Sequence, residues 1–139
     1  MFGLRPLVVF VFDRSLLWAT DVDAHFLDAF VPADERTRLR AEHPQWNKFM
    51  NAAFEFAHSN GVTQQQITDS LLSTCEIDSI FVETITKLRR EHGVAFAIVS
   101  DANHFMIEAL LRQSGLQSEF DAILTNPSHF DDRGRLHLL

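Results

Sequence analysis

Cysteine is almost absent: Cys75 stands alone among 139 residues, so no internal disulfide can form and a reducing, cytoplasmic setting is the simplest expectation. No Cys/His spacing completes a zinc site, and a buried apolar thiol is the ordinary role for a lone cysteine. The seven histidines are dispersed, without His-x-x-x-His or His-Glu-x-x-His spacing, so packing or surface roles fit them better than metal binding. No Gly-x-Ser-x-Gly elbow is present, which leaves serine-hydrolase chemistry without support. Positive charge is also scarce. The formal net charge is −7 with Lys and Arg scattered, so the chain lacks the electrostatic footprint of a nucleic-acid or anionic-membrane binder. Acidity does not exclude a phosphate ester, because a metal ion and backbone N–H groups can supply local positive potential. Long apolar runs are missing too. The run Leu7-Val8-Val9-Phe10-Val11-Phe12, bounded by Pro6 and Asp13, is too short to span a membrane. There is no internal repeat and no low-complexity stretch.

What is present is ordinary globular composition, 46% hydrophobic and 22% charged, in a length suited to one domain. The run from Leu7 to Phe12 is β-branched and aromatic without polar alternation, as a parallel strand covered on both faces requires. A second such run, Val94 to Val99, follows Gly93 and ends at Ser100-Asp101-Ala102-Asn103. A helical pattern (Phe105, Ile107, Leu110, Leu111) then extends to Ser114 before Gly115, and Ala122 to Thr125 reads as a third strand stopped by Asn126-Pro127. Residues 131–134 read as a turn before Leu136. This alternation predicts an α/β parallel sheet.

About eighty residues with helical punctuation separate the first two strands, far more than a simple crossover needs. They predict an inserted helical subdomain, with helices through Ala24–Phe30, Pro44–His58, Thr63–Leu72 and Asp78–His92. Trp46, Phe49, Met50, Ala53, Phe54 and Ala57 form the apolar face of the second. Thr63 and Asp78 are expected N-caps; Gly61 and Gly93 are expected stops. The predicted organisation is a core of residues 1–20 and 93–139 with a cap of residues 21–92.

In parallel sheets ligands bind off the carboxyl ends of the strands. That rule brings Phe12-Asp13-Arg14-Ser15 and Ser100-Asp101-Ala102-Asn103 to one crevice. Singly, these residues also read blandly: Asp13 and Ser15 as turn formers, Asp101 and Asn103 as helix caps, Asp23 as an N-cap. As an ordered set they resemble the phosphoethanolamine/phosphocholine phosphatase family of haloacid-dehalogenase-type hydrolases. The set comprises Phe10 to Leu16, Ile98-Val99-Ser100-Asp101-Ala102-Asn103, Phe105, Ile107, Glu108 and Leu110, Thr125-Asn126-Pro127-Ser128, and Asp132-Arg133-Gly134-Arg135-Leu136.

The resemblance implies a Rossmann-like sheet with a helical cap and magnesium-dependent hydrolysis of small phosphorylated amino-alcohols. In that chemistry one carboxylate attacks phosphorus to form an aspartyl-phosphate. A second acts as acid and then base, and Mg2+ offsets the gathering charge. By resemblance Asp13 is the acid/base residue and a metal ligand, Ser15 the conserved hydroxyl, and Ser100, Asp101 and Asn103 the phosphate and substrate contacts. Asp23, with one inserted residue allowed, matches a carboxylate that pairs with the substrate's ammonium group. The nucleophile position is Val11, which can neither attack phosphorus nor ligate a cation. Asp21-Val22-Asp23 does not replace the missing dyad, because it does not end an apolar strand.

The family continues to a lysine and an acidic Gly-Asp-Gly-type loop, whereas this sequence stops at Leu139. The resemblance therefore predicts no turnover in this form. The rival readings are a non-catalytic phosphoester-binding or regulatory pseudophosphatase and a truncated or decayed piece. Anion binding is expected at Ser100 and at free N–H groups opening the following helix. Without the strand that carries the acidic loop, strand one is expected at a sheet edge, where an uncharged, Pro-free segment favours self-association.

Overall fold

The computed structural model describes residues 3–17 and 20–139, so the expected core segment 1–20 lies partly outside the described residues. A parallel sheet is built from β1 (Leu7–Phe10), β2 (Ala95–Asn103) and β3 (Ala122–Asn126), in the order β1-β2-β3. Val8 lies beside Phe96 and Phe10 beside Ile98, which in turn neighbours Ile123. Side chains at paired positions of a parallel sheet share a face. This is the covered face, where Phe96 and Ile98 are buried and Phe10 and Ile123 pack against the core, while Val8 at its edge stays exposed.

The opposite face, carrying Leu7, Val9, Val99 and Leu124, is exposed, at 63% for Leu124. β1 is an edge strand of this sheet. It is shorter than the expected Leu7 to Phe12: pairing ends at Phe10, and Phe12 turns fully into the core. β2 runs longer than expected, because after Val99 its register with β3 is irregular until Asn103. Ser100 and Asp101 sit in that irregular stretch at the strand's carboxyl end.

Between β1 and β2 come α1 (Val22–Phe30), α2 (Ala33–Glu42), α3 (Trp46–Ser59), α4 (Gln64–Thr74) and α5 (Ser79–His92). Thr63 caps α4 with a reciprocal capping box to Gln66, and Asp78 caps α5 by accepting from the Ile80 N–H. Gly93 ends α5 in the left-handed region at φ 62°, where a side chain would be strained. α1 begins two residues before the expected Ala24, and its N-cap is Asp21. α2 was not among the expected helices. Leu39 is its one buried residue, and its polar surface is tied by Arg38 to Glu35 and Glu42 and by Arg36 to Asp28.

α6 (His104–Gln113) follows β2, and a hairpin of β4 (Ser128–Phe130) and β5 (Leu136–Leu138) follows β3. α4 packs against both α1 and α6, while α3 packs against β5. The Asn51 side chain from α3 pairs with the backbone of Leu138 in both directions, at 3.1 and 2.8 Å, as a strand neighbour would. The helical segment therefore shares one hydrophobic core with the sheet. No helix among the described residues is long and apolar enough to cross a membrane.

Candidate active-site crevice

Beyond β1 the chain turns sharply through Arg14, whose φ of 57° is unusual for a side-chain-bearing residue. This turn presents Asp13 to the start of α1, where its Oδ1 accepts a hydrogen bond from the Val22 N–H at 3.0 Å. Burial pushes the Asp13 carboxyl up to about 6, helped by the charges of Asp21 and Asp101 and opposed by the Val22 N–H and Arg14. Val11, two residues earlier, is 59% exposed.

Asp23 lies on the first turn of α1 and is 5% exposed. Its Oδ2 accepts from the Trp46 indole N–H at 2.9 Å, while its Oδ1 is buried with no partner among the described residues. Burial pushes it up to about 7, against the Trp46 hydrogen bond and with repulsion from Asp21, Asp13 and Asp101. Asp21 spends one oxygen capping the Ala24 N–H at 3.0 Å. The charges of Asp21 and Asp101 thus act on both raised carboxyls, Asp13 and Asp23. Cys75 is buried, as expected, and its thiol is pushed up by burial and by the charge of Asp13.

From the other strand, Ser100 Oγ accepts from the Ala102 N–H at 3.1 Å, which leaves the hydroxyl proton free to donate. Asp101 is exposed, and its carbonyl accepts from Asn126 Nδ2 at 2.7 Å. Asn103 is fully buried and caps α6 through the Met106 N–H at 3.1 Å, with its own Nδ2 unpartnered among the described residues. Ser15 is half-buried in the turn after Asp13.

The expectation of free N–H groups at the start of α6 is corrected. Phe105 N–H donates to Ser128 Oγ at 3.0 Å, Met106 N–H to Asn103, and Ala102 N–H to Ser100. Side chains from the strand and the hairpin satisfy those donors, so an anion would find the Ser100 hydroxyl before the helix backbone.

Two residues outside the expected set also reach this neighbourhood. Trp46, expected on the apolar face of its helix, is 39% exposed and binds Asp23; Asn47 donates to Asn126 Oδ1 at 3.2 Å. Their position on the first turn of a helix was the available signal, since that end of a cap helix can overhang a crevice.

Magnesium requires about six oxygen ligands in octahedral array. No group of three or more His, Cys, Asp or Glu that could hold a metal ion occurs among the described residues. Asp13 and Asp23 each commit one oxygen to an N–H group, and Val11 offers none. The described side chains do not by themselves fit the ion.

Comparison with known proteins agrees with this architecture. A family profile described as Putative Phosphatase matches residues 6–139. An Arabidopsis thaliana thiamine phosphate phosphatase-like protein is 35% identical over 97% of this chain and 54% of its own. An inorganic pyrophosphatase from the same plant is 31% identical over 93% of this chain and 45% of its own. The human phosphoethanolamine/phosphocholine phosphatase is 30% identical over 96% of this chain and 51% of its own. The chain thus spans about half the length of the curated relatives it matches. Among solved structures, a haloacid-dehalogenase-family hydrolase from Salmonella enterica serovar Typhi superposes with a TM-score of 0.66. It is 13% identical and is matched over 95% of this chain and 43% of its own, a likeness of fold.

Proposed function

The chain belongs to the putative phosphatase family and shares the fold of a haloacid-dehalogenase-family hydrolase, and from that membership we propose that its crevice binds a small phosphomonoester without cleaving it. In this reading residues 1–20 and 93–139 are the phosphoester-binding core and residues 21–92 the cap. The Ser100 hydroxyl donates to a phosphoryl oxygen, with Ser15 on the facing turn. Asn103 holds the start of α6 in place from within. Asp13, raised to about 6, has the protonation range of a group that gives a proton to a leaving oxygen and takes one from water. Asp23 and Asp101 supply negative charge for an ammonium group, which favours phosphorylated amino-alcohols within the class.

The observation that carries the reading is Val11. An exposed isopropyl group stands two residues before Asp13, where the family resemblance calls for the carboxylate nucleophile. No aspartyl-phosphate can form there, so Asp13 has no intermediate to hydrolyse.

The test is turnover against binding. Phosphoethanolamine, phosphocholine, pyrophosphate and an aryl phosphate are each incubated with the protein and Mg2+, and phosphate release is followed. Release is expected to match a buffer blank, while titration with phosphoethanolamine shifts the amide signals of Ser100 and Asp101. Chelator-sensitive release that is lost in Asp13→Ala would overturn the reading.

The bare sheet face and the edge position of β1 support a further part of the proposal, that the chain associates with itself when alone. Light scattering across a dilution series is expected to show mass rising with concentration, and Leu124→Lys is expected to lower it. A concentration-independent monomer sinks this part.

A further inference from the structure

We infer that the first turn of α3 sets specificity for the cationic part of the ligand, with Trp46 and Asn47 as positioning residues for Asp23 and Asp101. This rests on the phosphoester reading above. The two residues are consecutive, yet one reaches α1 and the other β3. Trp46 donates its indole N–H to Asp23 Oδ2 at 2.9 Å, so one oxygen is fixed and Oδ1 is left as the unsatisfied acceptor. Asn47 donates to Asn126 Oδ1 at 3.2 Å, and Asn126 Nδ2 donates to the Asp101 carbonyl at 2.7 Å. One helix end therefore fixes the Asp23 carboxylate directly and, through Asn126, the backbone that carries the Asp101 carboxylate.

The indole is itself held in place. Its ring lies 5.4 Å from Phe49, and the Arg40 guanidinium sits 5.6 Å from the Trp46 centroid and 5.5 Å from that of Phe49. A buried carboxylate with one bare oxygen among the like charges of Asp13, Asp21 and Asp101 is costly. A ligand cation lowers that cost further than the indole N–H does, and among the described residues no cationic side chain pairs with Asp23. Without the indole N–H, Asp23 loses its single side-chain donor and with it both its fixed orientation and the hydrogen bond that favours its anionic form against burial.

The experiment measures Kd for two esters of similar size, phosphoethanolamine and propyl phosphate, which lacks the ammonium group. The native chain is expected to favour phosphoethanolamine on the order of tenfold, about the scale of one charge-assisted contact. Trp46→Phe keeps an aromatic ring on Phe49 and Arg40 and removes the N–H together with the second ring. It is expected to bring the ratio close to one while leaving the propyl phosphate Kd unchanged. Asn47→Ala is expected to lower the ratio by a smaller factor. Trp46→Phe added to Asp23→Asn is expected to change nothing further, because the indole acts through that carboxylate.

Native preference that survives both Trp46→Phe and Asn47→Ala overturns the inference, as does equal loss of both esters. A native chain that binds propyl phosphate as tightly as phosphoethanolamine also overturns it and leaves the phosphoester reading standing. A native chain that binds neither ester removes that reading and this inference together.

Discussion

At the end of the sheet where the strands begin, Asp121 accepts from Arg89 at 2.7 and 3.3 Å and from the Phe96 N–H at 3.0 Å, with Arg5 at 3.5 Å. At the other end Asp23 has one indole N–H and three acidic neighbours. The first carboxyl is held down to about 2, chiefly by the Arg89 hydrogen bonds, and the second is pushed up to about 7, chiefly by burial. The same side chain thus ties the fold together at one end and burdens it at the other. A carboxylate that weakens its own fold is a place to look for a ligand, since unsatisfied polar groups concentrate where function requires them.

The sharpest test of that contrast is Asp23→Asn. A carboxyl whose folded-state value is raised binds its proton more readily folded than unfolded. Its contribution is therefore fully present below about pH 4 and is lost as pH rises through about 7. At pH 8 the neutral amide removes the buried charge while still accepting from Trp46. The variant is expected to gain roughly 1–3 kcal/mol there, after the cost of a buried amide nitrogen. The gain should shrink steadily toward pH 4, as followed by thermal melts at each pH. A loss of stability at pH 8 would mean that Asp23 is better satisfied than its contacts show.

The parts legible in the sequence are those written in local patterns. Two apolar runs ending in polar turns gave β1 and β2, and the caps at Thr63, Asp78 and Gly93 sit where their side-chain chemistry placed them. α2 was hidden because a helix with one buried residue has no apolar stripe to read. Its cohesion comes from Arg38, Glu35 and Glu42 at helical spacing. The reading of Asp23 as an N-cap missed by two positions, because Asp21 is the same residue type and takes that place. Which one caps depends on where the chain enters from the Asp13 turn.

The ordered set named Asp13, Asp23 and Asp101, and the charge of Asp101 helps to raise the carboxyls of the other two. The wiring of the crevice was not legible. The Trp46 contact spans 23 positions and the Asn47 contact 79, and neither residue type announces such a partner. The donors at the start of α6 were equally hidden, since Ser128 arrives from the hairpin.

Asp121→Asn should give the smaller change, with the opposite sign. Its folded-state value lies below the ordinary one, so its contribution is present above about pH 4 and is lost as pH falls through about 2. Near neutral pH the variant is expected to melt below the native chain, because it gives up the charge that Arg89 and Arg5 share. It keeps an oxygen for the Phe96 N–H, so the start of β2 stays pinned. The site is open to solvent, and salt should erode the difference, whereas the Asp23→Asn gain comes from desolvation and should persist. Melts at low and high ionic strength separate the two. If added salt abolishes the Asp23→Asn gain and spares the Asp121→Asn loss, the assignment of burial to one end and pairing to the other is reversed.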